Sequence, residues 1–220
     1  MKTLSSIYSE YKIMPSLQKH QLRVAAVARA ACDLVSVPLD SRGVITTCLF
    51  HDMGNIIKFD LDYFPDFLVP EGLRYWQKVK DEFVEKYGNE EHLATEKICW
   101  EIGLTEKQLE YLGAVGFSKL GKVVAEDSLE NKICCYSDQR VGPYGVLSIE
   151  ERLEEGKRRY NGTKHKALVS GRFEELAQLL KKLESQIFAQ ASVGPDSISN
   201  ESIADDVLNF PLMEIPGMAE

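Results

Sequence analysis

The side chains of this sequence best suited to chemistry are histidines and aspartates that fall within apolar helical patterns. His20 has the same helical phase as Val24 and Val27, so its imidazole is predicted to point into the protein. Asp52 and Asp138 also continue apolar stripes, where a carboxylate is costly to bury unless a metal ion or a charged partner compensates it. Imidazole and carboxylate groups brought together would form a mixed nitrogen and oxygen site for a transition metal.

The order and spacing of these residues separate them from ordinary core residues. A single buried histidine or aspartate is more often hydrogen bonded in a core than bound to a metal, and a His-Asp pair also arises by chance. Here an inward histidine is followed after 51 − 20 = 31 residues by the pair His51-Asp52, and after a further 138 − 52 = 86 residues by Asp138. Neighbours on a helix point about 100° apart, so the pair can approach one ion from two sides.

Helical periodicity extends over nearly the whole chain and places these residues on separate helices. His20 lies near the start of a predicted helix over 17–35. The His-Asp pair ends a second helix, for which Asp40 is the predicted N-cap. Asp138 lies on a later helix over 129–141, which Gly-Pro terminates.

The predicted fold class is all-α, with one helical domain over residues 1–190 that ends in a long helix over 164–190. Residues 191–220 are predicted to form a linker and a loosely ordered acidic tail. The segment 60–87 combines a loop bearing aromatic residues with a charged helix. This insertion could form a lid over a substrate, or the helix could pack its aromatic face on the bundle.

The composition excludes several classes of function. Lys and Arg number 26 and Asp and Glu 34, and the resulting net charge of −8 argues against general binding to nucleic acids or anionic membranes. The longest stretch without a charged residue has 11 residues, whereas a membrane-spanning helix needs about 20. Five scattered cysteines and the lack of an apolar leader predict reduced thiols in a cytoplasmic protein. A homodimer is left open.

The arrangement resembles the HD-domain superfamily of metal-dependent phosphohydrolases, in which a His, a His-Asp pair and an Asp lie on separate helices of a bundle. The matching segments are QKHQLRV, LFHDMGN and CYSDQRV, and the resemblance covers residues 17–160. It implies one divalent transition metal (Mn, Fe, Co, Ni or Zn), with a second metal left open. Carried over residue by residue, the ligands are His20, His51, Asp52 and Asp138. Such a metal activates a bound water, so no serine or cysteine nucleophile is required.

Two positions depart from the family pattern. Many members carry Lys or Arg shortly after His-Asp-x-Gly, but here Asn55 takes that place and the nearest cation is Lys58. Lys58 is therefore predicted either to bind the phosphate or to be a solvated lysine. His92 resembles the next histidine motif of members with two metals, but the further histidine of those members is missing. His92 is predicted to be a phosphate donor, a general acid or a partial ligand of a second metal, with a packed structural histidine as the alternative.

These features predict a metal-dependent phosphohydrolase that acts on a nucleotide or another small phosphorylated metabolite through a metal-activated water. The predicted catalytic residues are His51, Asp52 and His92. The predicted substrate-binding residues are Lys58, His92 and Arg74, the last from the insertion. Two alternatives remain open. A di-iron oxygenase of the HD type needs more ligands than the chain offers, and a non-catalytic regulatory module that binds a nucleotide would not need the four ligands.

Overall fold

Polar capping residues and apolar stripes divide the chain into helices. The computed structural model describes residues 1–63, 65–160, 171–189 and 191–215. The helices in them are α1 Leu4–Glu10, α2 Pro15–Leu34, α3 Ser41–Phe50, α4 Leu73–Tyr87, α5 Glu91–Ile102, α6 Glu106–Leu112, α7 Leu120–Ala125, α8 Leu129–Gln139, α9 Ile149–Tyr160, α10 Gly171–Phe188 and α11 Ala204–Asn209. Strands β1 Lys2–Thr3 and β2 Glu214–Ile215 form a small antiparallel sheet. The predicted all-α fold class is confirmed.

Local hydrogen bonds account for several helix ends. The side chain of Asp40 accepts a hydrogen bond from the N–H of Gly43 at 2.9 Å, which confirms it as the N-cap of α3. Thr105 and Gln108 form a capping box at the start of α6. Gly103 ends α5 with a φ of 94°, a left-handed conformation that glycine adopts without a steric penalty.

The helix that carries His20 lies at the centre of the bundle. α2 packs against α3, α8 and α11, and residues 24–28 are fully buried. Each of these residues is a valine or an alanine, and their small side chains let the neighbouring helices approach closely. Since α3 and α8 also contact each other, the ends of three helices meet in one place.

The five cysteines are unpaired and buried. Burial raises the pKa of the Cys32 thiol and of the Cys135 thiol to about 12, so both are protonated at neutral pH. They pack as small apolar side chains, as the sequence predicts.

Residues 191–215 pack onto the domain, so the prediction of a loosely ordered tail is wrong for them. Their buried apolar side chains are Ile198, Ile203, Phe210 and Ile215. Buried Arg140 donates a hydrogen bond to the carbonyl oxygen of Ile198 at 3.0 Å, and β2 pairs with β1. The prediction failed because these apolar residues are spaced singly among acidic ones, and their burial depends on partners far away in the chain.

Three parts of the predictions lie outside the described residues. They are residues 164–170 and residue 190 of the predicted final helix, and residues 216–220 of the predicted tail. The rest of the predicted final helix corresponds to α10. Among the helices described, none combines the length and the apolar character that a membrane span requires.

The helix of the predicted insertion packs on the bundle through its apolar face. Trp76, Val79 and Phe83 of α4 are buried, and the indole N–H of Trp76 donates to the carbonyl oxygen of Leu68 at 3.2 Å. Of the two arrangements that the sequence allows for this helix, the structure therefore has the packed one.

Candidate metal centre

Three packed helices bring together the four side chains that the sequence predicts as metal ligands. His20 lies in the second turn of α2, His51 and Asp52 follow the last residue of α3, and Asp138 lies near the end of α8. His20 Nε2 is 3.3 Å from Asp138 Oδ1 and 3.6 Å from Asp52 Oδ2. His51 Nε2 is 3.5 Å from each of the same two oxygen atoms. The predicted ligands therefore converge from distant parts of the chain.

The hydrogen bonding of His51 leaves one ring nitrogen free for a ligand. Its Nδ1 lies 2.8 Å from the carbonyl oxygen of Cys48, which can only accept, so Nδ1 carries the proton in the neutral ring. Nε2 is buried and makes no hydrogen bond within the described part of the chain. Oxygen atoms of Asp52 and Asp138 lie 3.5 Å from it, and a metal ion between these groups would supply the interaction that the buried nitrogen lacks.

The charges of the cluster influence one another strongly. Burial by itself lowers the pKa of His51, but the carboxylates of Asp52 and Asp138 outweigh it and raise this pKa to about 10. Burial by itself raises the pKa of Asp138, but the imidazoles of His20 and His51 hold it well below its usual range. The site therefore holds positive charge beside its carboxylates, and a proton competes with a metal ion for His51.

The donor set fits a divalent transition metal. Two atoms bound about 2.1 Å from one ion lie roughly 3.0 to 3.5 Å apart at common coordination angles, close to the nitrogen–oxygen separations of the cluster. When both imidazoles are neutral, the two carboxylates carry two negative charges, which a divalent cation balances. His20, His51 and Asp52 form a group that could hold a metal ion, and Asp138 lies against both imidazoles.

One side of the cluster opens to solvent. The side chain of His51 is 1% exposed, whereas those of His20, Asp52 and Asp138 are 22%, 18% and 21% exposed. Solvent therefore reaches the carboxylates and His20, whereas His51 is shielded.

Three polar side chains that the sequence did not identify hold this region in place. Buried Gln21 accepts a hydrogen bond from the N–H of Asp52 at 3.1 Å. Thr95 of α5 accepts one from the N–H of Gly54 at 2.9 Å. Gln139 donates to Asp138 Oδ2 at 2.8 Å, which leaves Oδ1 directed at the histidines. The only signal for Gln21 in the sequence is an amide side chain directly after an inward histidine.

The three predicted substrate-binding residues lie outside the four-residue cluster. The side chain of His92 is 60% exposed, and its Nε2 lies 3.8 Å from Glu91 Oε1. With Glu90 and Glu91, it forms a second group that could hold a metal ion. Lys58 Nζ is 3.5 Å from Glu91 Oε1, so Lys58 and His92 approach the same carboxylate. Arg74 is exposed on α4.

Lys58 and Arg74 line one open cleft of about 960 Å³ between residues 58–62 and the residues 73–81 of α4. The cleft begins at the end of a 3-10 helical turn, Asn55–Lys58, which is separated from the His-Asp pair by two residues. Two of the predicted substrate-binding residues therefore line the same cleft, and one end of that cleft follows shortly after the His-Asp pair in the sequence.

Comparison of the chain with protein-family models, curated proteins and solved structures gives no match.

Proposed function

We propose that this protein is a metal-dependent phosphohydrolase of the HD type, acting on a nucleotide or another small phosphorylated metabolite. The observation that carries the proposal is the convergence of two imidazoles and two carboxylates around the buried Nε2 of His51, which makes no hydrogen bond to the residues that the structure describes. The order of these residues along the chain, which resembles the HD superfamily, supports it further. Five unpaired thiols agree with a reducing, cytoplasmic location.

The geometry of the cluster supports the ligand roles in this proposal. The metal would be a single divalent Mn, Fe, Co, Ni or Zn ion held by His20, His51, Asp52 and Asp138. Such a metal supplies a nucleophile at neutral pH and offsets the charge that develops on phosphorus. The carbonyl oxygen of Cys48 keeps the proton of His51 on Nδ1, and Gln139 orients the carboxylate of Asp138.

Hydrolysis adds water across a phosphorus–oxygen bond, so the leaving oxygen must gain a proton. His92, with its ring exposed beside Glu91, is the proposed donor of that proton or of a hydrogen bond to the phosphate. Lys58 and Arg74 are the proposed contacts for the substrate, because both line the cleft that follows the His-Asp pair.

Metal analysis and a substrate panel test the proposal together. The purified protein is analysed for metal and assayed against phosphorylated compounds with added Mn²⁺, Co²⁺, Ni²⁺ or Mg²⁺. We expect about one metal ion per chain and phosphate release. We expect His51→Ala and Asp138→Asn to lose both the metal and at least a hundredfold in kcat/KM while circular dichroism shows a folded helical protein.

Asp33→Asn is the matched control, since Asp33 is a carboxylate on the exposed face of the same central helix as His20. It should leave metal content and turnover unchanged. Full turnover and full metal content in His51→Ala would contradict the proposal. Two irons per chain together with oxygen consumption would show that the protein is the di-iron oxygenase instead. Tight nucleotide binding without any metal would show that it is the regulatory module instead.

A further inference from the structure

The cleft between residues 58–62 and 73–81, here called the α4 cleft, is placed to receive the part of a substrate that is not being cleaved. Lys58 lies six residues after Asp52, at the end of a 3-10 turn that rises about 2 Å per residue. Its Nζ lies 3.5 Å from Glu91 Oε1, and Glu91 packs directly on Gly54 of the His-Asp turn. Through Glu91, the cleft therefore adjoins the turn that carries the His-Asp pair.

The α4 cleft carries charges of both signs. Its cations are Lys58, Arg74, Lys78 and Lys80, and its carboxylates are Asp60, Asp62 and Asp81. Lys58 pairs with Glu91 at 3.5 Å, and Lys78 pairs with Glu82 at 4.0 Å. With these two pairs set aside, two cations face three carboxylates, so the cleft has no excess of positive charge for a second phosphate group.

The carboxylates of the cleft can accept hydrogen bonds from a ligand. Asp81 accepts from the amide of Gln77 at 2.8 Å, and Asp60 accepts from the N–H of Asp62 at 3.2 Å. The exposed carboxylate of Asp62 has no hydrogen bond or ion pair to another residue in the described ranges. An ionised carboxylate only accepts hydrogen bonds, so hydroxyl and ammonium groups are its natural ligands.

Arg74 keeps all of its donors for an acceptor group of the ligand, and Lys80 keeps part of its own. Lys80 Nζ donates to the carbonyl oxygen of Phe59 at 2.7 Å, whereas Arg74 contacts no hydrogen-bonding partner among the residues that the structure describes. Leu61 and Leu73 complete the lining with apolar surface. The cleft thus offers several acceptors, one free guanidinium and an apolar wall.

We propose that the α4 cleft holds the body of the substrate and selects a phosphomonoester rich in hydroxyl or ammonium groups over one that carries a second phosphate. This inference rests on the proposed function and narrows its substrate class. A nucleoside monophosphate or an aminated sugar phosphate fits the cleft, whereas a second phosphate placed there would lie against Asp60, Asp62 and Asp81.

Three compounds built on the same hexose ring test the selection: glucosamine 6-phosphate, glucose 6-phosphate and glucose 1,6-bisphosphate. One charge pair at 4 Å in water-like surroundings is worth about 1 kcal/mol, roughly fivefold. With the Mn²⁺-loaded protein, we expect kcat/KM about fivefold higher for the amine than for the neutral sugar, and at least tenfold lower for the bisphosphate. Calorimetric binding of the same compounds should follow the same order.

Asp62→Asn should bring kcat/KM for glucosamine 6-phosphate and glucose 6-phosphate within a factor of two of each other, because the amide lacks the negative charge that favours the amine. Glu85→Gln is the matched control, since Glu85 is an exposed acid of α4 that does not line the cleft. It should preserve the selection among all three compounds.

The outcomes separate this inference from the proposed function. If 4-nitrophenyl phosphate is cleaved but the bisphosphate is used as well as the amine, the inference is wrong and the proposed function stands. If no phosphate is cleaved with any metal, the proposed function is wrong. Calorimetry then decides the inference alone, and bisphosphate binding as tight as that of glucosamine 6-phosphate overturns it.

Discussion

Single residues around the His-Asp pair determine how well the cluster is organised. His51 has its Nδ1 held by a backbone carbonyl, and the backbone of Asp52 is held by Gln21. Gln21 is fully buried, and its amide nitrogen also reaches the sulfur of Met53 at 3.9 Å. Because Gln21 follows His20 directly, one short segment of α2 provides both a ligand and the support of another ligand. Outer groups of this kind commonly change metal affinity by 10- to 100-fold.

We predict that Gln21→Leu weakens Mn²⁺ binding about tenfold, as measured by titration calorimetry. The substitution removes the acceptor for the N–H of Asp52, so the carboxylate is held less firmly. The loss of one buried hydrogen bond should lower the free energy of unfolding by about 1 to 2 kcal/mol.

Thr47→Val is the control for this prediction. Buried Thr47 donates to the carbonyl oxygen of Gln108 at 3.2 Å, on the same helix as the pair but away from its turn. It should lower stability to a similar extent without changing metal affinity. Equal loss of affinity in both variants would show that Gln21 acts only through stability.

At the scale of elements, the turn after α3 must lie directly against the first turn of α5. Gly54 allows this contact, because a Cβ there would lie 2.6 Å from the carbonyl oxygen of Glu91 and 2.8 Å from the nitrogen of Thr95. Both are backbone atoms, which cannot move unless α5 shifts. The same approach lets Thr95 accept the N–H of Gly54. α5 thereby supports the His-Asp turn and places Glu91 and His92 beside it.

We predict that Gly54→Ala lowers the free energy of unfolding by more than about 2 kcal/mol in urea titrations, because the added methyl group meets rigid backbone. Metal affinity should fall as the turn separates from α5. Gly121→Ala in α7 is the control, since the nearest atom there is a leucine methyl group at 4.0 Å. It should raise the free energy of unfolding by about 0.5 to 1 kcal/mol. An unchanged stability in Gly54→Ala would contradict the proposed close contact.

For the whole molecule, buried Arg140 joins the end of α8 to the C-terminal segment. Its guanidinium donates to the hydroxyl group of Tyr136, to the carbonyl oxygen of Leu147, and to that of Ile198 at 3.0 Å. Glu184 of α10 lies 3.9 Å away and supplies negative charge. Since Arg140 lies two residues after Asp138, the packing of the C-terminal segment and the placement of a ligand depend on the same helix end.

We predict that Arg140→Met lowers the free energy of unfolding by about 3 kcal/mol, because it leaves several buried acceptors without donors. Hydrogen exchange should become faster over residues 198–215. Arg29→Met is the control. Arg29 forms an ion pair with Asp206 at 2.9 Å, and the side chain of Arg29 is exposed. Arg29→Met should lower the free energy of unfolding by less than about 1 kcal/mol. Equal effects of the two substitutions would contradict a special role for Arg140.

Most helices, several of their ends and the four candidate ligands could be predicted without coordinates. Helical periodicity and capping depend on residues three or four positions apart, so a short window contains the whole signal. The N-cap at Asp40 and the capping box at Thr105 are of this kind. Short elements such as α1, α7 and α11 were not predicted, because they have too few turns for a clear apolar stripe.

The sequence by itself determined an all-α chain with two histidines and two aspartates on inward helical faces. Only the tertiary structure decided that each imidazole Nε2 lies 3.3 to 3.6 Å from oxygen atoms of both aspartates. It also decided that Gln21 and Thr95 hold the turn and that residues 191–215 pack on the domain. Each of these depends on contacts between segments far apart in the chain. Such contacts leave no periodic signal, because they arise from how whole helices pack.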